Sequence, residues 1–483
     1  MTGSGTNFVG AAELLVEIER QLPTPLHRQL AGGIRERIRQ GYLRADAVLP
    51  ASRVLATDLG LSRGVVVEAY AQLVAEGYLV SRAGGYTQVA GTGPAARAEP
   101  ATAPAERPLR IDFRYGRPDV SQFPRAAWLR SLRRVLNEIP SERLVYLDGR
   151  GAPELHQALA DYLNRVRGTS ARAENIVVSN GFGQGIRLLA GVLAARGLRR
   201  LAVEDPSSDD DIRVIAPAAG LQIVGVPVGP AGIDVDALDR SGADAVLVTA
   251  AHQFPTGAVL SPESRNALVA WAVRRDGLII EDDYDAEYRY DRDPIGAIQG
   301  LAPERVVYAG TASKTLAPGL RLGWLVAPAR LVADLAAAKL VDDRGSPVLE
   351  QLTFADFIAG GEFDRHLRRM RPRYRQRRDV LLDALAQRLP DFEATGISAG
   401  LHVVTRLPAD LDETTLTEAA ATRGLGVYGL RPYRMSPGRD ALLFGYGNLS
   451  ETAIRDGIAL LAEAVAAVRG CAGPSAPVRA SAR

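Results

Sequence analysis

The 483-residue chain carries 58 lysines and arginines, of which only two, Lys314 and Lys339, are lysine. An arginine side chain stays protonated at ordinary pH, whereas a lysine amine can lose its proton and attack a carbonyl to form a Schiff base. The count alone fits either compositional drift or retained amine chemistry. Lys314 stands in Thr311-Ala312-Ser313-Lys314-Thr315-Leu316-Ala317-Pro318-Gly319-Leu320-Arg321, beside two hydroxyls and seven residues before an arginine. A second segment, Asn180-Gly181-Phe182-Gly183-Gln184-Gly185, is glycine-rich and opens a helix, so its backbone N–H groups can face a phosphate. A third, Glu281-Asp282-Asp283-Tyr284, supplies carboxylates and a phenol. An amine for a Schiff base, hydroxyls, an arginine and glycine N–H groups for a phosphate, and a carboxylate for a pyridinium nitrogen together describe a pyridoxal-phosphate pocket. Each piece alone is common in surface loops; their joint placement on successive strand ends is not.

Those loops need strands behind them. Apolar, β-rich runs occur at 175–179, 200–204, 221–228, 244–249, 278–282, 305–309 and 322–327, mostly separated by helix-length segments. This pattern predicts a mostly parallel seven-stranded sheet covered on both faces, whose ligands bind at the C-terminal strand ends. From about residue 361 the pattern changes to a basic helix (365–389), strands at 401–406 and 441–446 and a final helix at 450–468. The α/β large domain is therefore expected over 109–360 and a smaller α+β domain over 361–470.

Residues 1–90 read differently. Thr24 is expected to cap a helix with Pro25 at its first position, and Leu26, Leu30, Ile34 and Ile38 make one apolar stripe. A second helix starts near Ser52, with Leu55, Ala56 and Leu59 inward. A third, capped by Ser62, has Val66, Tyr70, Leu73 and Val74 on one face. Gly60-Leu61-Ser62 is the short turn between them, the mark of a helix-turn-helix. Two strands around Arg82-Ala83-Gly84-Gly85 add a wing, giving a winged helix-turn-helix. In that geometry Ser62, Arg63 and Gly64 enter the major groove of double-stranded DNA, Ser52 and Arg53 face phosphate, and Arg82 sits at the wing tip. Nine Arg against eight Asp and Glu in 1–90 leave the charge nearly neutral. Order and spacing therefore favour DNA over a protein-interaction module.

Composition bounds the rest. Hydrophobic residues at 47% and charged ones at 24% exclude wholesale disorder, and no apolar run approaches the roughly 20 residues of a membrane span. Residues 91–108 (GTGPAARAEPATAPAERP) have the composition of a linker, and 471–483 that of a disordered tail. The single cysteine, Cys471, rules out an internal disulfide framework, and no metal site is expected. The segment Met1–Gly10 has no signal-peptide pattern, so a cytoplasmic location is expected. A net charge of +2 offers no polybasic field.

The motifs PLHRQLAGGIRERI, LPASRVLATDLGLSR, YLDGRGAPELHQALADYL, HQFPTG, IIEDDYDAEYRY and SKTLAPGLRLGW, spread over about residues 20–468, carry a resemblance. The chain resembles the MocR/GabR-type transcription regulators, in which a GntR-family winged helix precedes a fold-type-I aminotransferase-like domain. The resemblance implies that Lys314 holds pyridoxal 5'-phosphate as a Schiff base, that Asp282 faces the pyridine nitrogen and that Tyr284 faces the 3-hydroxyl oxygen. Thr311, Ser313 and Arg321, with the backbone of Gly181, Phe182 and Gly183, would hold the phosphate. Tyr146 is similar to the tyrosine that reaches the phosphate of the other subunit, which implies a homodimer. Lys339 fits no motif position and reads as a helix-surface cation.

Three departures bear on function. Glu204-Asp205-Pro206 is followed by Ser207 and Ser208, where the family offers an aromatic ring to stack on the cofactor; Phe182 is one substitute. Asp209-Asp210-Asp211 stands where amino-acid-sensing members place an arginine. The late strand reads Ala441-Leu442-Leu443-Phe444-Gly445, without the carboxylate-binding arginine of aminotransferases, for which Arg431 or Arg434 could substitute. Without a bidentate arginine an amino acid's α-carboxylate loses its strongest anchor. The expectation is a dimeric regulator that senses pyridoxal phosphate or an amine or amino-acid effector, with control of pyridoxal phosphate synthesis as one role. The alternative is an active aminotransferase with an appended DNA-binding module. A dinucleotide site at Gly181-x-Gly183 with Glu204 is disfavoured, because Ile186 occupies the third glycine position and Lys314 would be unused.

Overall fold

The computed structural model describes residues 14, 16–81, 86–91, 109–208, 212–290, 295–396 and 399–471. The expected wing tip at Arg82, most of the linker (92–108), the 209–211 acidic run and the tail from 472 lie outside them. The chain divides into two compact units, Met1–Glu106 and Arg107–Arg483.

The first unit contains α1 (Leu26–Arg39), β1 (Val48–Leu49), α2 (Ser52–Asp58), α3 (Arg63–Ala75), β2 (Leu79–Ser81) and β3 (Thr87–Val89). Leu30, Ile34 and Ile38 of α1 meet Leu55 of α2 and Val66 and Leu73 of α3 in one buried core. Thr24 is not the cap of α1. Pro25 takes that place without a side-chain bond, and the Thr24 carbonyl accepts from Gln29 Nε2 at 2.7 Å. Val74, expected inward, is 36% exposed, and Ala69 is buried instead. Helical periodicity explains this: Val66, Ala69, Tyr70 and Leu73 share a face, while a residue eight on from Val66 is rotated roughly 80° away. Arg35 forks onto Glu76 at 2.7–2.8 Å and ties α1 to the end of α3. The sheet has three strands, ordered β1-β3-β2, rather than two. The two-residue β1 pairs Val48 with Gln88 and is too short to leave a periodic signal.

The second unit opens with β4 (Ile111–Asp112), α4 (Arg125–Glu138) and α5 (Pro153–Arg167). There follow β5 (Ile176–Ser179), α6 (Phe182–Ala195), β6 (Arg200–Asp205), α7 (Ile212–Ala218), β7 (Gln222–Gly229), β8 (Gly232–Ile233), α8 (Val235–Ser241), β9 (Ala245–Val248), α9 (Pro262–Arg274), β10 (Leu278–Asp283), β11 (Val306–Thr311) and β12 (Gly323–Val326). The sheet they form is ordered β5-β12-β11-β10-β9-β6-β7-β8. All seven expected strands are present. The eighth, β8, is a two-residue edge strand folded back on β7. The central pairings are parallel, while β12 runs antiparallel to both β11 and β5. Both faces are covered, as the nearly unbroken apolar strands require.

The chain continues through α10 (Ala329–Asp343), α11 (Val348–Ala359) and α12 (Glu362–Arg388). It then forms β13 (Glu393–Thr395), β14 (His402–Arg406), α13 (Glu413–Ala421), β15 (Leu425–Gly426), β16 (Tyr428–Gly429), β17 (Ala441–Gly445) and α14 (Glu451–Cys471). A second sheet, β13-β14-β17-β16, is antiparallel. Ile111 and Asp112 pair with Leu425 and Gly426, so the start of this unit packs with its C-terminal part rather than with the large sheet.

Candidate functional site

In the first unit Ser62 caps α3, its side chain accepting from Val65 N. This leaves Ser62, Arg63 and Gly64 exposed at the helix start, and Arg53 exposed next to the half-buried Ser52 at the start of α2. The Gly60 turn (φ +61°) fixes the angle between the two helices.

In the second unit, register brings three loops together. Gly323 of β12 pairs with Thr311 on one side and Ser179 on the other. The chain leaving β11 and the glycine loop leaving β5 therefore start side by side. A Cβ at Gly323 would lie 2.8 Å from the Gly181 carbonyl carbon, so only glycine permits this approach. Gly181 (φ +84°) caps α6, and a Cβ there would lie 3.1 Å from the Arg321 guanidinium. Arg321, itself left-handed (φ +52°), donates from Nη2 to the Asn180 carbonyl at 2.6 Å. Thr311 Oγ1 contacts Ser313 Oγ at 3.0 Å and accepts from Ser313 N.

Lys314, Asp282, Tyr284, Thr311, Ser313, Arg321, Phe182 and Gly183 line one cavity of about 260 Å³. Lys314 Nζ donates to the Gly116 carbonyl at 3.0 Å, and a Cβ at Gly116 (φ +74°) would stand 2.9 Å from that nitrogen. The loop after Lys314 is braced from below: His366 Nε2 donates to the Thr315 carbonyl at 2.9 Å. Strand alternation puts Asp282 on the cavity side of β10 and sends Glu281 and Asp283 into the core. There Asp283 Oδ2 accepts from Arg167 Nε and from the Tyr308 hydroxyl, each at 2.7 Å.

The far wall holds residues the sequence reading did not single out. Tyr115, Phe254, Leu401, His402 and Asp285 line it. Tyr115 and Phe254 lie 4.8 Å apart between ring centroids. His252 Nδ1 pairs with Asp285 Oδ2 at 3.0 Å, and its ring lies 4.9 Å from that of His402. His402 donates from Nε2 to the Pro255 carbonyl at 3.1 Å. Burial, then the neighbouring His252, pushes His402 down to about 3, so this imidazole stays neutral. Burial, then the carboxylates of Asp285 and Asp282, pushes the Tyr284 phenol well above its ordinary value, so it remains a donor, within 3.1 Å of the His252 carbonyl. His252 and Phe254 lie in HQFPTG and Asp285 follows Tyr284, so a signal existed for them; His402, some 120 residues on, had none.

Ser207 and Ser208 line the cavity where an aromatic was missed, and besides Tyr284 and His402 the rings that line it are Phe182, Phe254 and Tyr115. Ser207 Oγ is buried without a hydrogen-bond partner among the described residues. The two substitute arginines do not reach the cavity. Arg431 binds Asp412, Asp440 and Thr414, and Arg434 donates to the Arg439 carbonyl. Glu204 accepts from Thr249 N and Oγ1 at 3.0 and 2.6 Å, so it is engaged inside the fold rather than offered to a ribose. Tyr146 is 84% exposed beside the exposed Leu144 and Val145 and is not among the residues that line this cavity. Lys339 is not a surface cation: it is fully buried and paired with Asp343.

Residues 111–439 match the family Aminotransferase class I and II, and residues 26–89 match the family Bacterial regulatory proteins, gntR family. The chain is 34% identical to the probable rhizopine catabolism regulatory protein MocR of Rhizobium meliloti, over 94% of this chain and 96% of that protein. It is 33% identical to the HTH-type pyridoxine biosynthesis transcriptional regulator PdxR of Corynebacterium glutamicum, over 94% and 99%. Among solved structures, an archaeal alanine:glyoxylate aminotransferase superposes with a TM-score of 0.67 at 28% identity, covering 74% of this chain and 91% of that one. Among the described residues no helix is long and apolar enough to cross a membrane.

Proposed function

The chain belongs to the MocR/GabR-type regulators, which join a GntR-family helix-turn-helix to a class I and II aminotransferase domain, and from that premise we propose that it is a dimeric DNA-binding transcription regulator whose second unit holds pyridoxal 5'-phosphate on Lys314. The observation that carries this reading is the convergence of Lys314, Asp282 and the Gly181–Arg321 cradle on one cavity. The residues fit the group: an amine in the wall, a carboxylate and a protonated phenol on one side, and on the other hydroxyls, a guanidinium and a helix N-terminus suited to a phosphate. The unpartnered Ser207 hydroxyl marks a polar position that a ligand can satisfy. Bound there, the cofactor would supply an aldehyde to the Lys314 amine. Asp282 would keep its ring nitrogen protonated, and Phe182 offers a stacking face.

The exposed Leu144, Val145 and Tyr146 support a partner surface, with Tyr146 directed to the cradle of a second copy. With Arg431 and Arg434 engaged elsewhere, no described late-strand guanidinium is left for an α-carboxylate. This favours pyridoxal phosphate itself, or an amine without that group, as the signal, and control of pyridoxal phosphate synthesis as one role; the relative from Corynebacterium is named for regulation of pyridoxine biosynthesis. A cytoplasmic location accords with that role. The intact Lys314 and aminotransferase cavity keep a second reading, an active aminotransferase, testable by turnover with an amino donor.

The decisive experiment adds pyridoxal phosphate to the purified protein. A visible absorption band is expected in the wild type and none in Lys314→Ala; a colourless wild type overturns the cofactor assignment. In a shift assay with DNA upstream of the gene, Arg63→Ala should weaken binding and lower the slope of its salt dependence by about one.

A further inference from the structure

Lysine survives at only two positions, and the second is buried on α10 behind the phosphate cradle. Lys339 Nζ donates to Asp343 Oδ2, four residues on. The same oxygen accepts from Asn180 Nδ2 and Gln184 Nε2, each at 2.8 Å, and Asp343 Oδ1 accepts from Gly345 N at 2.8 Å. Gln184 Oε1 closes the circuit by accepting from Asn180 N at 2.7 Å. Asn180 is the residue before Gly181, and its carbonyl is the one that Arg321 holds. Its N–H, its carbonyl and its side-chain amide are thus all fixed, the N–H by Gln184, which is itself bonded to Asp343, and the amide by Asp343 directly.

We propose that Lys339 is a positioning residue for the anion cradle: it neutralises Asp343 and, through that carboxylate, sets Asn180 and Gln184 so that the N–H groups at the start of α6 converge on a phosphate.

The inference deepens the cofactor reading and rests on it. Its electrostatic part follows from sign. Asp343 is joined directly to a loop that is to receive a phosphate dianion. A carboxylate without its cation there would oppose the anion, in surroundings where charges are poorly screened. Hydrogen bonds from Gln184, Lys339 and the Gly345 backbone outweigh the effect of burial and hold Asp343 below the usual carboxylate range, so it remains charged and needs a counterion. The steric part explains why arginine does not stand here: a compact ammonium fits a site that leaves the Lys339 side chain 1% exposed, where a planar guanidinium would demand more room. The same face of α10 also supports the loop that carries Tyr146. A Cβ at Gly149 would lie 2.4 Å from the Ala336 carbonyl and 2.8 Å from Leu340 Cγ.

The test titrates the full-length apo-protein with pyridoxal 5'-phosphate and, separately, with pyridoxal, which lacks the phosphate, following the visible band. Lys339→Met should weaken pyridoxal phosphate binding about tenfold, the size of effect produced when an outer support of a ligand-holding group is lost. Its affinity for pyridoxal should stay within about twofold of wild type on the same argument. Lys339→Met combined with Asp343→Asn, which removes both charges, should recover part of the loss. Gln184→Ala cuts the circuit at its outer end and carries the same comparison if Lys339→Met does not fold. Variants that bind pyridoxal phosphate like wild type, or that lose both ligands equally, overturn the inference. A wild type with no band for either ligand overturns the cofactor reading itself.

Discussion

Neighbouring carboxylates on β10 have opposite fates because a strand turns successive side chains to opposite faces. Asp282 meets the cavity, whereas Asp283 is buried against Arg167, a guanidinium with no exposure at all. Removing the Asp283 charge strands that cation, so Asp283→Asn should cost about 3–5 kcal/mol in denaturant unfolding. Asp282→Ala should instead weaken cofactor binding, with stability changed by no more than about 0.5 kcal/mol. The reverse pattern would mean that the two roles are exchanged. Glu204, on β6, titrates unusually: burial pushes it from 4.5 up to about 7 against the hydrogen bonds from Thr249. A carboxyl that holds its proton more tightly when folded gives stability that is complete below its unfolded value and lost as the pH rises through its folded one. The melting temperature should therefore decline across that window, and Glu204→Gln, which has no such proton to lose, should flatten the decline. Equal declines in both proteins would remove Glu204 as a cause.

Among the elements, β12 does the most to assemble the site. Because it runs antiparallel between β11 and β5, its first residue lies where both neighbours end, and two loops far apart in sequence become adjacent. Gly323 is the point of closest approach. Gly323→Ala should cost about 3 kcal/mol through backbone collision with Gly181 and should weaken pyridoxal phosphate binding more than pyridoxal binding. Differential titration of the two ligands, alongside chemical denaturation, measures both effects. An alanine variant of unchanged stability would show that the loop has room to shift.

For the molecule as a whole, the site as proposed takes one residue from a second copy. Tyr146 and Lys314 then act on the same cofactor from different chains. Tyr146→Ala and Lys314→Ala homodimers should each bind pyridoxal phosphate poorly. A mixed dimer of the two should regain one complete site, at close to half the wild-type stoichiometry, readable from the absorbance of co-expressed, differently tagged chains. No recovery in the mixture would place both residues on one chain's own site. The two units have separate cores, so Arg63→Ala should leave the absorption band intact while it weakens DNA binding.

Local sequence determined much of this protein. Helical stripes, the Gly60 turn and the strand-helix alternation each depend on residues near one another, so the winged helix, the parallel sheet and the place of Lys314 on a strand-end loop were legible from the chain. Thr24, Val74 and the short β1 and β8 were misread or missed because a proline, a helix rotation or a two-residue pairing decides them. Tertiary structure alone decided that His402 joins the cavity wall, that Arg431 and Arg434 are engaged away from the cavity, and that Lys339 is buried. Each of these turns on contacts between segments distant in sequence, or on which face of an element meets a neighbour, and neither spacing nor composition encodes that.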